Sequence, residues 1–367
     1  MDLVGVVSVL IGVVVVAWML ADSFQTLLAT NLRTGRLSFT RGYYTVVWKS
    51  FRALCARVRD DQRRDRLLSL FGPASFMGLL VAWVVVEIAG WAMIWWGLRG
   101  GFEPPITAFS DAWYYSGVVY FSIGFGDILP TAGGLRLLTV VEGLSGLGTL
   151  GLVIGFLPSL NAAYSARERR LLLLDDLSDQ RITPISLVRS QIGPDQDIAR
   201  LEQMFDEWAE WCADVYDSHT TFPMLMWFRS KHRGHSWITG LGVVTDAAIA
   251  FAGTVPSAEH GPAERLYRQS VRLVQGLARR VELEPQEGAG RLSARWWSVG
   301  YSSMQTIGVP MRDFDDSFRR VTELRREFHP YMEAFIDELM APRGFWGVTA
   351  ADHLAEADLT NLFFDED

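Results

Sequence analysis

Cysteine is almost absent from this 367-residue chain. Only Cys55 and Cys212 occur, far apart and with no partner spacing for zinc or a redox pair, so each is expected to be a packed thiol. Lysine is nearly missing too: Lys49 and Lys231 are the only two among 34 lysines and arginines. No run of alternating strands stands out, and neither does a Ser/His/Asp or paired-carboxylate arrangement, which speaks against an enzyme. Positive charge is lacking where a nucleic-acid binder would need it. Divided at Asn161, the first part carries 12 basic and 10 acidic residues and the second 22 and 32. The second part is therefore acidic, unsuited to nucleic acid and not drawn onto anionic lipid.

Apolar residues are what the chain has in plenty. Hydrophobic residues make up 49%, mean hydropathy is +0.14 and there are 14 tryptophans, beside 21% charged residues, so a membrane part joined to a soluble part follows. Leu3 to Leu20 is long enough to cross hydrocarbon. No basic stretch precedes it and no convincing small-residue cleavage site follows, so it reads as a retained span rather than a signal peptide. Residues 31–72 carry Arg33, Arg36, Arg41, Lys49, Arg52, Arg57, Arg59, Arg63, Arg64 and Arg66 against Asp60, Asp61 and Asp65, which places them on the cytoplasmic side. Within them Tyr44, Val47, Phe51, Leu54, Cys55 and Val58 recur at helical spacing, predicting a basic amphipathic helix at the inner leaflet or, alternatively, one packed on the soluble part. These arginines are not embedded in an apolar span, so they do not form a voltage sensor. Phe76 to Leu98 is the second span, with Trp91, Trp95 and Trp96 toward its external end as an aromatic belt.

Leu135 to Leu160 is the third span, and Arg167, Arg169 and Arg170 beyond it return the chain to the cytoplasmic side. Ahead of it, Phe109 to Val119 is too short to span and rich in aromatics, with Ser110 and Asp111 suited to an N-cap; it reads as a re-entrant helix. Ser122-Ile123-Gly124-Phe125-Gly126-Asp127 follows, with Gly124 and Gly126 where a backbone of φ > 0 is cheap only for glycine. Such a hexapeptide alone is also an ordinary turn. In this setting it resembles the TVGYGD signature of potassium channels, and the order of span, pore helix, filter and span is similar to the two-span potassium-channel superfamily over about residues 73–160.

The resemblance implies that the carbonyls of Ser122, Ile123, Gly124 and Phe125 hold K⁺, that the Ser122 hydroxyl adds to them, that Phe125 packs sideways against the pore helix, and that Asp127 sits at the outer mouth. With one filter per chain, it also implies a homotetramer, with K⁺ as permeant ion and no cofactor. Trp113 and Tyr114 are the filter-supporting aromatics; Tyr114 stands where many relatives place a Trp, and Val118 where some have a Glu. Tyr120-Phe121 replaces the usual small polar pair. Glu87 and Glu142 are costly in hydrocarbon; Glu142 is expected to brace the filter from behind, with ion attraction in the vestibule as the other reading. Gly146-Leu147-Gly148-Thr149-Leu150-Gly151 matches GxGxxG, but within a span and with no preceding strand it does not read as a nucleotide site. Gly146 and Gly148 are instead expected to let the inner helix bend or pack closely.

The remainder predicts helices, with apolar stripes over 201–215 and 321–339 separated by breaks at Gly193-Pro194, Gly261-Pro262, Glu284-Pro285 and Gly288 to Gly290. Ser236 to Phe251, interrupted by Asp246, reads as a buried helix rather than a fourth span. His219, His232 and His235 with Asp217 read as solvated loop histidines in preference to a metal or proton-sensing site. Neither a Rossmann module nor a cyclic-nucleotide-binding domain is evident. The expected architecture is an all-α membrane protein: an N-terminal span (1–30), a basic cytoplasmic segment (31–72), a tetrameric potassium-channel pore domain (73–160) and a helical cytoplasmic domain (161–367). It would sit in the plasma membrane with its N-terminus outside, as a potassium-selective channel regulated by a domain whose ligand the sequence does not name. A non-selective cation channel and a non-conducting membrane-anchored sensor or scaffold fit the same residues.

Overall fold

A computed structural model describes residues 2–27, 38–175, 183–192, 197–230, 236–258 and 260–342. Arg33, Arg36, the Gly193-Pro194 break and the loop bearing Lys231, His232 and His235 lie outside the described residues. The chain divides into two units, Met1–Ala162 and Ala163–Asp367.

In the first unit, α1 (Leu3–Leu27) runs past the expected end at Leu20. It can do so because its polar turn is satisfied internally: Asp22 accepts hydrogen bonds from Ser38 Oγ (2.8 Å), Thr40 Oγ1 (2.6 Å) and Trp83 Nε1 (3.1 Å). Small residues let α1 lie close on α3, for a Cβ on Gly12 would press into the carbonyl oxygen of Gly90. α2 (Phe39–Cys55) packs on α3 through Trp48 and Phe51, whose rings lie 4.8 and 4.9 Å from that of Phe71. Its buried face is centred on Tyr44, Trp48 and Cys55, so Leu54, expected on that face, is 58% exposed.

α3 (Asp61–Gly97) is one helix through Pro73. The second span is therefore continuous with the charged segment and does not begin at Phe76, because Asp60 caps the helix by accepting from Gln62 N (2.9 Å) and Arg63 N (3.2 Å). α4 (Phe109–Tyr120) is started differently from the expected N-cap: Ala108 occupies the cap, and Asp111 reaches back to accept from Ala108 N (2.9 Å) and Thr107 N (3.1 Å). Two short strands, β1 (Phe102–Glu103) and β2 (Leu129–Pro130), pair antiparallel on either side of it. α5 (Gly133–Asp175) continues well beyond Leu160 with Pro158 inside it.

The second unit is a helical bundle formed by the C-terminal end of α5 with α6 (Pro184–Ile192), α7 (Ile198–Thr221), α8 (Trp237–Thr254), α9 (Pro262–Val281), α10 (Ala294–Gln305) and α11 (Phe314–Glu338). α7 buries Leu201, Met204, Phe205, Trp208, Trp211, Cys212 and Val215, and α11 buries Val321, Phe328, Met332, Phe335 and Ile336, the period-3.6 stripes of the sequence. Each such side chain contributes about 1.5–3 kcal/mol when fully removed from water. α8 is one of four described helices long and apolar enough to cross a membrane, yet all its residues except Thr239 are buried among α6, α9 and α11. Its Asp246 is paired with Arg325 Nη1 (2.7 Å) and His329 Nε2 (2.8 Å), which is how an apolar helix keeps a carboxylate inside. Both cysteines are buried, and burial pushes the Cys212 thiol up to about 12, leaving it inert. The protein is an all-α membrane protein.

Candidate functional site

The end of α4 sets the site. Ser122 N donates to Val119 O (2.9 Å) and Ile123 N to Val118 O (2.8 Å), closing the helix and turning the chain into the hexapeptide. From there φ is positive at every second residue: +56° at Ser122, +67° at Gly124 and +77° at Gly126. The two glycines adopt this freely, whereas Ser122 bears roughly 1–2 kcal/mol of left-handed strain. A segment whose handedness alternates turns successive carbonyls toward one side instead of the two sides of a strand, the disposition that an ion-coordinating filter requires.

The outer end of the segment is tied to α4, where Tyr114 OH donates to Asp127 Oδ2 (2.9 Å). Trp113, the other aromatic expected to support the filter, is 37% exposed. Phe125 does not brace the loop from within the chain. Its ring is 67% exposed, and the brace at this level comes instead from a hydroxyl–carboxylate bond that a phenyl group cannot make. Ile123 is 52% exposed beside it.

Behind α4 lies a buried polar network that joins three helices. Glu142 of α5 is fully buried and accepts from Trp95 Nε1 (2.7 Å) and Ser116 Oγ (2.5 Å), and Ser116 Oγ also reaches Ile88 O (3.1 Å). Trp91 Nε1 donates to Ser145 Oγ (3.1 Å) one turn further along α5. Trp91 and Trp95 are thus not an aromatic belt. They are 4% and 0% exposed, turned inward because each indole N–H finds an acceptor on α5. A second tie uses Glu87 of α3, which accepts from Tyr120 OH (2.9 Å) and Thr149 Oγ1 (3.3 Å). Ser116, Trp95, Tyr120 and Thr149 were not singled out as partners in the sequence. The available signal was the pair of carboxylates in apolar helices, each of which requires donors nearby.

The two inner-helix glycines differ. A Cβ on Gly146 would press into the carbonyl oxygen of Tyr120, so this glycine serves close packing. Gly148 has no neighbour within 4 Å of such a Cβ and lines an open apolar groove of about 620 Å³ with Leu20, Phe24, Thr149 and Leu152. Among the described residues no group of three or more His, Cys, Asp or Glu is placed to hold a metal ion.

In the second unit His219 is not a solvated loop residue. It lies on α7, 1% exposed, with its ring 5.0 Å from that of Trp237 and Nε2 3.3 Å from Arg167 Nη1. Arg167 also donates to Leu225 O (3.0 Å), Phe228 O (2.6 Å) and Glu168 (2.9 Å). Since the guanidinium can only donate, Nε2 accepts and Nδ1 donates to Val215 O (2.9 Å). Burial, and then the charge of Arg167, hold His219 well below the usual histidine pKa.

Residues 80–160, which contain α4, the hexapeptide and the adjoining parts of α3 and α5, match the family described as ion channel. The chain is also similar to YdjJ, an uncharacterized membrane protein of Bacillus subtilis (strain 168), with 24% identity over 229 residues. That alignment covers 61% of this chain and 64% of YdjJ, so the chain spans less than two thirds of that relative's own length. No solved structure matches it. The family match falls on the segment carrying the alternating backbone, within a chain whose long apolar helices are those of a multi-pass membrane protein.

Proposed function

We propose that the protein is a potassium-selective channel, a homotetramer of the plasma membrane with its N-terminus outside and its second unit a cytoplasmic regulator of the gate. The observation that carries this reading is the alternation of positive φ at Ser122, Gly124 and Gly126 between a short re-entrant helix and a spanning helix. Four copies would give rings of carbonyls from Ser122, Ile123, Gly124 and Phe125. An ion would exchange its hydration shell for these rings, with the Ser122 hydroxyl at the inner end, and ions in neighbouring rings would repel one another onward. The exposure of Ile123 and Phe125 supports a shared axis, because one chain leaves both uncovered. The Tyr114–Asp127 bond would hold the outer end of the filter and the Glu142 network the helix behind it.

Purified protein in liposomes tests the reading. K⁺ and Rb⁺ flux should far exceed Na⁺ flux, and Ba²⁺, close to K⁺ in size and doubly charged, should block. Equal Na⁺ and K⁺ flux would make it a non-selective cation channel. No cation flux at all would favour a membrane-anchored sensor or scaffold.

A further inference from the structure

Tyr120 stands where the polypeptide passes from α4 into the left-handed segment. It is fully buried and touches three helices at once. Its own helix ends with it. Its hydroxyl donates to Glu87 Oε2 of α3 at 2.9 Å. Its carbonyl lies directly against the backbone of α5 at Gly146, and Thr149, on the same face of α5 three residues on, donates to the same Glu87 oxygen at 3.3 Å. Glu87 and Thr149 are 1% and 3% exposed, so no water competes for these bonds. Ser122, the first strained residue, follows after Phe121 alone, and its amide is still bonded to the last turn of α4.

A residue in this position does more than fill space. The left-handed conformation at Ser122 is unfavourable by itself and persists only while its surroundings impose it. Tyr120 is the last residue before the hexapeptide whose side chain and backbone are both fixed from outside α4.

We infer that Tyr120, anchored by Glu87, is a positioning residue that sets the inner end of the ion-coordinating segment, and that through Gly146 and Thr149 it makes the geometry of this segment depend on the position of α5. This rests on the potassium-channel reading above. The selectivity of the segment would then depend on a hydroxyl that never touches the ion, and a displacement of α5 near Gly146 would be felt at Ser122.

The test uses the full chain, purified as the tetramer, with two readouts: the Rb⁺/Na⁺ flux ratio in liposomes, and the rise in thermal midpoint in detergent when K⁺ replaces Na⁺. Tyr120→Phe keeps the ring and removes the donor. It should lower the flux ratio by about tenfold, the equivalent of one net hydrogen bond, and abolish most of the K⁺-specific rise. Glu87→Leu should do the same from the other side, while Glu87→Gln, which keeps an acceptor oxygen for Tyr120, should retain both properties. Unchanged ratios and K⁺ response in Tyr120→Phe overturn the inference while leaving the channel reading intact. Loss of the tetramer in both Tyr120→Phe and Glu87→Leu also overturns it, since the tie is then structural. A wild-type protein with neither selective flux nor a K⁺-specific rise removes the channel reading itself, and the inference with it.

Discussion

Trp95 Nε1 donates to Glu142 Oε2 at 2.7 Å, a buried bond between residues 47 apart in sequence. It fixes the register of α3 against α5 at the level of Ser116, the α4 residue that shares the same carboxyl group. A buried acceptor deprived of a donor costs about 1–3 kcal/mol, more when it is charged. Trp95→Phe, which keeps most of the buried area, should therefore lower the thermal midpoint of the detergent-solubilised protein. Trp95→Phe combined with Glu142→Leu should recover part of the loss, because the carboxyl oxygen left without its indole donor is gone. A double variant no more stable than Trp95→Phe would show that packing of the indole, and not its N–H, is what α5 requires.

Gly146 and Gly148 lie two residues apart in one apolar helix and make opposite predictions. A methyl group at 146 meets the Tyr120 carbonyl, so Gly146→Ala must push α5 away from α4, at about 1–3 kcal/mol and with a disturbed turn into Ser122. At 148 the same methyl group enters open space, and Gly148→Ala should gain up to about 1 kcal/mol of helix stability from propensity alone. Thermal midpoints of the two variants separate these cases. Equal shifts would mean that the approach of α5 to Tyr120 is looser than described.

Much of the fold could be read along the chain because the signals are local. Hydropathy marks the spans, period-3.6 stripes mark α7 and α11, and Gly124 and Gly126 announce positive φ by residue type. What could not be read depends on partners distant in sequence. Trp91 and Trp95 look like interfacial aromatics until Ser145 and Glu142 are placed beside them. His219 looks solvated until Arg167, 52 residues earlier, is brought to its ring. Helix ends were missed for a related reason: Leu20, Phe76 and Leu160 mark where the apolar runs stop or start, whereas α1, α3 and α5 extend beyond those residues. In the candidate site the glycines were visible, whereas the ties from Tyr120 and Tyr114 needed coordinates.

Acid should weaken the second unit through its buried histidines. Burial first, then Arg167, lowers the pKa of His219; burial and Arg325 lower that of His329, with Asp246 opposing. The groups facing His219 are Arg167 of α5, the ring of Trp237 of α8, and Ser218 and the Val215 carbonyl of its own helix, and Arg167 is itself bonded to Glu168 and lies over the ring of Tyr164. In the folded state both histidines take up a proton less readily than in the unfolded chain, where they bind protons near pH 6.5. Their contribution is therefore complete above about pH 6.5 and is lost as pH falls below it, at no more than about 1.4 kcal/mol per pH unit for each histidine. The thermal midpoint should be flat near pH 7–8 and fall between about pH 6.5 and 5. His219→Gln, which can still accept from Arg167, should fall less steeply; a slope equal to that of the wild type would remove His219 from the account.

Arg167 is the residue through which α5 is held in the second unit. It is 2% exposed, donates to the carbonyls of Leu225 and Phe228, pairs with Glu168, and has its own carbonyl bonded by Trp211 Nε1 at 3.1 Å. Glu168 is held in turn by Ser230, and Leu171 and Leu174 of α5 belong to the same core. Removing one partner of such a buried pair costs about 3–5 kcal/mol, since a charge and two carbonyls are left bare. The natural place to cut the chain is thus after Ala162, where the two units divide. A cut after Arg170 would keep Tyr164 and Arg167 without the carbonyls they bind. If the second unit regulates the gate, it must bias α5 between two states by a few kcal/mol. The chain truncated after Ala162 should insert and tetramerise with an altered open probability in single-channel recordings, and full-length Arg167→Met should shift in the same direction because its grip on α5 is broken. Identical open probabilities in the wild type, Arg167→Met and the truncated chain would exclude the second unit as a gate and assign it to partner binding.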